Sequence, residues 1–526
     1  MQNSSPLKTT FAVTTLGCKV NQADSEAISE QMSEAGFIQR DFGEIADVYI
    51  VNTCTVTHLG DRSSRQMISQ ARRRHPDALL VVTGCYAEMN PQAVAALPGV
   101  DLVVGNRGKD SLVTAIKEQC EAEVKSSNQC TEIPPIGSQG DRKGAPPPYT
   151  DMPFGPQLGA EPRTESSSIS TSVEPTRILP MLDFNAQHIG SDRSLPIDPT
   201  EQEPQPDNPS TNLLITNGTA LIETANARLL SRTRVQMKVQ DGCDNRCTYC
   251  IVPYVRGASR SRSIESVVEH VRRKVRAGFQ EIVLTGIHLG DYHPDNDEKR
   301  DLGDLIATLL NETDIARIRV SSLEPEDFRL EWLELWDNPR MCRHLHLPMQ
   351  SGSDYILRRM ARRYNSERYS TIITTAKRLV PGIAISTDII TGFPGESDDD
   401  FEHTYRLTTE LHFAKAHVFR FSPRQGTAAA RMKGQIKDEV KKARSERLLA
   451  LNDEHARHFR QQFLGETVQV LIEAQKHDRW EGLTDNYLRV EIDDLPGHAD
   501  HNWQNTLVKA RLIELVDDGI RGIAVV

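Results

Sequence analysis

Long apolar runs are missing from this 526-residue chain: nowhere do 18 or more apolar residues follow one another, and the N-terminus, MQNSSPLKTTFAVTTLG, has no basic stretch leading into an apolar core. Without these features neither a membrane-spanning helix nor a secretory leader is expected, and the sequence reads as that of a cytoplasmic protein with no membrane partner. Basic residues are outnumbered, with Lys+Arg 62 against Asp+Glu 73 and a formal net charge of -11. A uniformly basic, nucleic-acid-coating protein is therefore excluded, because phosphate contacts need Lys and Arg. The acid is unevenly placed, however: residues 121–230 hold more than twice as many acidic as basic side chains. Outside that segment the balance is nearly neutral, and local basic patches decide what the surface can bind. Cysteine is also sparse, with nine residues at positions 18, 54, 85, 120, 130, 243, 247, 250 and 342. An odd number scattered along a leaderless chain argues against a disulfide framework and for metal-binding or catalytic thiols.

What is present divides the chain. Residues 131–210 contain runs such as GAPPPYT, TESSSIST and EQEPQPDNPS without helical or strand period, and a mean hydropathy of -0.47 for the whole chain fits a segment that buries little. A disordered Pro/Ser-rich insertion is expected over 121–230. Before it, FAVTTLG, DVYIVNT and ALLVVTG alternate with helical patterns, which predicts a small parallel βαβ domain over 9–120. Cys18, Cys54 and Cys85 each fall just after one of those strands, and C-terminal strand ends of a parallel sheet share one edge.

After the insertion the alternation resumes: RVQMKVQ, QEIVLTG, RIRVSSL, RHLHLPM, IAISTDIITG and AKAHVFRFS are separated by helical stretches near 263–278, 301–310, 326–336, 354–379 and 398–411. Six such units over 231–462 predict a complete or partial (β/α) barrel with its site at the C-terminal strand ends. One long amphipathic helix is expected over 435–461. The β-rich tail, 463–526, reads as a small antiparallel β-barrel.

The sharpest motif is CDNRCTYC, with Cys243, Cys247 and Cys250 in CxxxCxxC spacing directly after the first barrel strand. Three thiolates on one short loop suit three corners of a cubane iron–sulfur cluster, leaving one iron open. A structural zinc site is the alternative, but zinc usually takes four protein ligands and the next candidate, His270, lies twenty residues on in a helix.

With CxxxCxxC so placed, the chain resembles the radical S-adenosylmethionine (SAM) superfamily. The flanks QDGCDNRCTYCIVPYVRGASRSR and TLGCKVNQADSE narrow the resemblance to the methylthiotransferase family, and to its tRNA N6-threonylcarbamoyladenosine branch, since GCKVN stands where the isopentenyladenosine branch shows GCQMN and the ribosomal-protein aspartate branch GCPKN. It covers roughly 9–120 and 232–526, with the insertion outside it.

The resemblance implies two [4Fe-4S] clusters, one on Cys243, Cys247 and Cys250 that cleaves SAM, and an auxiliary one on Cys18, Cys54 and Cys85. It implies a radical that removes hydrogen from C2 of the adenine at position 37, which lies in the tRNA anticodon loop, followed by delivery of a methylthio group. A reductant such as flavodoxin or ferredoxin is an expected partner, and DNA is not. The loops TGIHLGDY, SSLEP, MQSGS and TDIITGFPGE supply expected SAM contacts, among them Gly286, Glu324, Gln350 and Asp388. Cys120, Cys130 and Cys342 match no ligand position.

Expected RNA contacts are Arg72, Arg73 and Arg74, then Arg256, Arg260 and Arg262, then Arg358, Arg359, Arg362 and Arg363. The tail resembles the TRAM module through EGLTDNYLRV, where Trp480 and Tyr487 either stack on bases or fill the barrel. Rival readings are a methylthiotransferase acting on isopentenyladenosine or a protein aspartate, and a zinc-stabilised RNA-binding protein without catalysis.

Overall fold

The computed structural model describes residues 9–55, 58–128, 177–178, 233–294, 299–476, 479–493, 495 and 501–525. Most of the expected insertion, with Cys130, lies outside the described residues.

The N-terminal unit is a parallel sheet of β1 (Thr10–Thr15), β2 (Ile38–Gln39), β3 (Val48–Thr53), β4 (Leu79–Gly84), β5 (Leu102–Val104) and β6 (Arg177–Ile178), in the order β2-β1-β3-β4-β5-β6. β3 and β4 are buried along their whole length. Their continuous apolar runs reflect helices on both faces, as parallel sheets require. Val48 and Ile50 join Ile28 of α1 (Lys19–Glu34) in one core; Tyr49 and Val51 join Ile68 of α2 (His58–Arg74) in another. Two short helices follow β4, α3 (Cys85–Met89) and α4 (Pro91–Ala95). The domain outruns its expected limit at 120, for α5 spans Leu112–Asn128 and Arg177–Ile178 pairs with Leu102–Val103.

The central domain is a six-stranded parallel half-barrel. β7 (Arg234–Lys238) leads into a two-stranded hairpin of β8 (Gln240–Asp241) and β9 (Arg260–Ser261), which frames the cysteine loop and α6 (Val252–Arg256). Then come α7 (Ile264–Arg276), β10 (Glu281–Thr285), α8 (Leu302–Glu312), β11 (Arg317–Val320) and β12 (His344–His346). α9 (Asp354–Arg359) and α10 (Ser366–Leu379) precede β13 (Ala384–Thr391), and α11 (Asp398–Leu411) precedes β14 (Lys415–Arg420). The strands form two three-stranded sheets, joined by the bridges Ile318–Met341 and Ser322–His346. Helix starts follow the side chains: Asp301 and Ser397 close capping boxes on α8 and α11. The expected helix near 326–336 is instead a 3-10 helix, Leu330–Asp337, held by the Trp332 indole donating to Asp301 and the Trp336 indole donating to the Cys342 carbonyl.

Alternation along these strands sorts the side chains. Val235, Met237, Ile282, Leu284, Ile318, Val320, Leu345, Ile385, Ile389 and Ala416 face the helices as one core. Their neighbours Arg234, Lys238, Glu281, Arg317, Arg319, His344, His346, Ser386, Asp388 and His417 therefore point to the lumen. No helix among the described residues is long and apolar enough to cross a membrane.

α12 (Asp438–Gln461) leads to a closed five-stranded barrel of β15 (Thr467–Lys476), β16 (Arg479–Thr484), β17 (Arg489–Ile492), β18 (Leu507–Val516) and β19 (Gly519–Ala524). Its pairs are antiparallel except β17 with β19, which run parallel. This barrel docks at the N-terminal strand ends of the central domain. Arg317 donates to the carbonyls of Leu483 and Gln469, and Arg319 to those of Thr484 and Asp485.

Candidate active site

Both cysteine triads sit at C-terminal strand ends. The loop of Cys243, Cys247 and Cys250 starts at Gly242, whose backbone has φ +77° and whose missing Cβ would lie 1.9 Å from the Ala258 carbonyl oxygen. Only glycine lets the loop pass so close to the chain returning toward β9. The Cys243 amide then donates to Gly257 at 3.0 Å and the Cys250 amide to the Cys247 carbonyl at 3.0 Å. The Cys250 Sγ accepts from the Val252 amide at 3.4 Å, and the Cys247 Sγ accepts from Arg362 at 3.3 Å. Burial raises both thiols, Cys250 to about 12. Half-buried cysteines whose sulfurs accept hydrogen bonds but are poor sites for a free thiolate suit neutralisation by a bound metal.

Residues on the neighbouring loops fix the surroundings. His288 Nε2 donates to the Asp327 carboxylate at 2.6 Å and lies 3.3 Å from the Asn245 side-chain nitrogen. Burial alone would lower its pKa, but Asp327 and Cys243 bring it to about 10. Arg362, 7% exposed, pairs with both Glu324 and Glu326. Glu324 is thus tied to the guanidinium that also touches Cys247. Gly286 lies against Gln240, where a Cβ would stand 2.9 Å from the Gln240 Oε1. Gln350, in the left-handed region at φ 60°, continues the bridge between β12 and β13: its amide donates to Asp388, and Ile390 donates back. The Asp388 carboxylate faces the lumen, 3.4 Å from His346.

In the N-terminal unit, Cys18 is exposed while Cys54 and Cys85 are buried. They share one neighbourhood. A Cβ on Gly17, whose φ is +102°, would stand 2.7 Å from the Cys54 Sγ and 3.3 Å from the Asn21 side-chain nitrogen. Cys85 lies 3.9 Å from Asn21 Oδ1 and 3.8 Å from Asn106 Nδ2. Gly17 directly precedes Cys18, so the Cys18 loop comes up to Cys54, and three thiols at this edge would suit a second cubane with one open corner.

The two triads adjoin each other. Cys85 packs with Ile251, the residue after Cys250, and with Val255. Asn106 donates to the Val255 carbonyl at 2.7 Å. Arg256, at the end of the same helix, reaches Asn21, Asp24 at 3.1 Å and Asp241 at 3.0 Å. Asp24 also holds Lys109 and Lys238, and these cations keep its carboxyl well below the usual range despite full burial.

Several arginines expected to meet RNA are structural instead. Arg256 is buried in this joint, and Arg362 is buried beside the cysteine loop. Arg72 is spent on Gly99, Pro76 and Asp101, and Arg262 on Ser266 and the Lys238 carbonyl. Arg260, half exposed, binds Asp241. A cluster of arginines in sequence signals charge, not exposure: buried acids took Arg256, Arg260 and Arg362, while Arg73, Arg74, Arg358 and Arg363 are exposed. Trp480 packs on the core of its own barrel. Tyr487 does not: it leaves that barrel, stacks under Arg319 at 4.0 Å and meets His344 edge-on at 4.4 Å. Cys342 is buried and Cys120 packs on the N-terminal core, away from both triads. Asn21, Asp24 and His288 carried no local signal of these roles, and Arg256 signalled RNA instead, since each acquires its role from a partner on another element.

Residues 237–408 match the Radical SAM superfamily, and residues 10–105 match the Uncharacterized protein family UPF0004. The threonylcarbamoyladenosine tRNA methylthiotransferase MtaB of Bacillus subtilis is 35% identical over 91% of this chain and 90% of its own. Its namesake in Aquifex aeolicus is 31% identical over 91% and 96%. The tRNA-2-methylthio-N(6)-dimethylallyladenosine synthase of Pelotomaculum thermopropionicum is 30% identical over 90% and 88%.

Proposed function

Because the chain belongs to the radical SAM tRNA methylthiotransferases, with relatives matched along nearly their whole length, we propose that it converts N6-threonylcarbamoyladenosine at tRNA position 37 to its 2-methylthio derivative. The observation that carries this reading is the adjacency of two cysteine triads, with Cys85 against Ile251 and Asn106 spanning both. A reaction that generates a carbon radical at one centre and delivers sulfur from another needs both centres to reach one carbon.

When bound, a [4Fe-4S] cluster with SAM supplies the one-electron chemistry for removing a hydrogen from an unactivated aromatic carbon. Cys243, Cys247 and Cys250 would hold that cluster, and Cys18, Cys54 and Cys85 a second. Gly286, Glu324, Gln350 and Asp388 are the SAM contacts of this reading. Arg362 ties Glu324 to the Cys247 side of the loop, so one guanidinium orients both. Arg256 fixes the spacing of the triads. His288, held cationic by Asp327, adds positive charge beside Cys243. A reductant such as flavodoxin or ferredoxin would supply electrons, and the cytoplasm is where such partners and tRNA meet.

Mass spectrometry of tRNA nucleosides from cells with and without the gene tests the proposal, alongside iron analysis of anaerobically purified protein, expected at about eight irons. Loss of the 2-methylthio form with accumulation of N6-threonylcarbamoyladenosine is the expected result. An unchanged nucleoside profile would refute the substrate assignment.

A further inference from the structure

Three neighbouring strands of the central domain each set one metal-ligating side chain at the same level of the lumen. His346 stands on β12, Asp388 on β13 and His417 on β14, with His346 beside Ser386 and Asp388 beside His417 in the parallel register. One ligand atom from each, an imidazole nitrogen from both histidines and a carboxylate oxygen from Asp388, all lie within 4.8 Å of one another. The His346 Nε2 and Asp388 Oδ2 are 3.4 Å apart. Ligands of a tetrahedral zinc ion, each about 2.1 Å from the metal, stand roughly 3.4 Å from one another. Only the His417 side chain, exposed on an edge strand, has to move to complete the set.

The surroundings prepare these atoms for a cation. The second His346 nitrogen, Nδ1, lies 2.8 Å from the Ser386 hydroxyl, which fixes the ring and leaves Nε2 turned to Asp388. Ligating histidines are held in this way, by a hydrogen bond to the nitrogen that faces away from the metal. Among the described residues neither nitrogen of His417 makes a hydrogen bond. Burial outweighs the Asp388 charge and lowers the His417 pKa, so at pH 7 its ring is neutral and has a lone pair to give. The nearby arginines have carboxylates of their own: Arg234 pairs with Glu473, Arg317 and Arg319 with Glu281, and Arg343 with Asp485. The ion-pair partner of Asp388 is a histidine, and Lys415 and Lys19 act on His417 more weakly than Asp388 does.

We infer that His346, Asp388 and His417 form a site for a divalent transition-metal cation, zinc or ferrous iron, that uses none of the triad cysteines. Two imidazoles and one carboxylate suit these cations better than magnesium or calcium, which take oxygen ligands. Three protein ligands leave a coordination position open toward the lumen. β14 is the outer strand of its sheet, so a cation held by all three strands fastens that edge of the half-barrel. Asp388 lies inside β13, whereas Gly286, Glu324 and Gln350 follow their strands. A resident cation takes the Asp388 carboxylate from SAM, and the two assignments are separable by experiment.

The test uses the full-length protein, purified anaerobically with its clusters rebuilt so that the triad cysteines are occupied, and zinc as the probe. After incubation with zinc and removal of the excess, elemental analysis should find about one zinc per chain beside the cluster iron. His417→Ala should weaken zinc binding by about a hundredfold or more, and Ser386→Ala, which only frees the His346 ring, by about tenfold. His417→Asp keeps a ligand on β14 and should retain most of the affinity. Zinc should also raise the melting temperature of the unaltered protein and leave that of His417→Ala where it was. Iron counted on the same samples reports folding, and a variant that loses its iron is replaced in the comparison by the other two. No zinc retained by the unaltered protein overturns the site. Zinc held equally by His417→Ala and Ser386→Ala also overturns it, since the ion then sits elsewhere. So does release of zinc on adding SAM, which returns Asp388 to that cofactor.

Discussion

Arg256 and Asp24 stand 232 residues apart in the chain, yet their side chains meet at 3.1 Å with 1% of each exposed. Arg256 ends the helix that follows one cysteine triad, and Asp24 lies on the helix that follows the first cysteine of the other. A buried pair of this kind adds little net stability over an apolar contact, but removing one partner is costly. Its value is geometric: it sets how far apart the two cysteine triads sit.

Arg256→Met should therefore destabilise the protein by about 3 kcal/mol, since Asp24 keeps Lys109 and Lys238 but loses its link across the joint. Denaturant unfolding of anaerobic protein measures this, and limited proteolysis should cut the N-terminal domain free sooner. A change below about 0.5 kcal/mol would show that the joint is held elsewhere.

The two triads should fail differently. Cys54→Ala is expected to lower iron from about eight to about four per chain and to stop methylthio formation while SAM cleavage to 5′-deoxyadenosine continues. Cys247→Ala should stop both. Cleavage lost equally in the two variants would contradict separate roles.

Gly242→Ala should be worse than most surface changes near the site. The new methyl group would overlap the Ala258 carbonyl oxygen, and φ of +77° disfavours any side chain. A loss of about 3 kcal/mol or more is expected, with iron retention falling because Cys243 follows directly. Calorimetry and iron assay on the same sample check both.

A pH effect belongs to His270 on α7, remote from either triad. Burial first, then the neighbouring Arg262, brings its pKa down to about 4. The unfolded chain binds this proton from about pH 6.5 downward while the folded chain does not, so stability is complete above pH 6.5 and falls as pH drops toward 4. His270 is partly open to solvent, so the loss is about 1–2 kcal/mol after screening. His270→Gln should flatten the melting temperature between pH 7 and pH 5; an unchanged slope would assign the effect to other groups.

Strand-borne features were legible in the sequence. Apolar runs such as DVYIVNT and ALLVVTG announced a sheet covered on both faces, and a cysteine directly after each placed three thiols on one edge. The lumen was not legible. AKAHVFRFS predicts a strand, but only its register with IAISTDIITG turns His417 toward Asp388. RGASRSR reads as exposed charge until Asp24 and Asp241 arrive to bury Arg256. EGLTDNYLRV marks a turn, and nothing local says that Tyr487 at that turn ends beneath Arg319 in another domain. Pairings between distant segments cost loop entropy and leave no periodic trace in composition.

The joint between the C-terminal barrel and the central domain is written largely in main chain, with Arg317 and Arg319 grasping the carbonyls of Leu483, Gln469, Thr484 and Asp485. Every amino acid carries that carbonyl, so substitutions at Gln469 or Leu483 leave the grip intact as long as the strands keep their path. The outer face of this small barrel is thereby released to drift in sequence, while the two arginines and the tyrosine they cover stay fixed as its anchor.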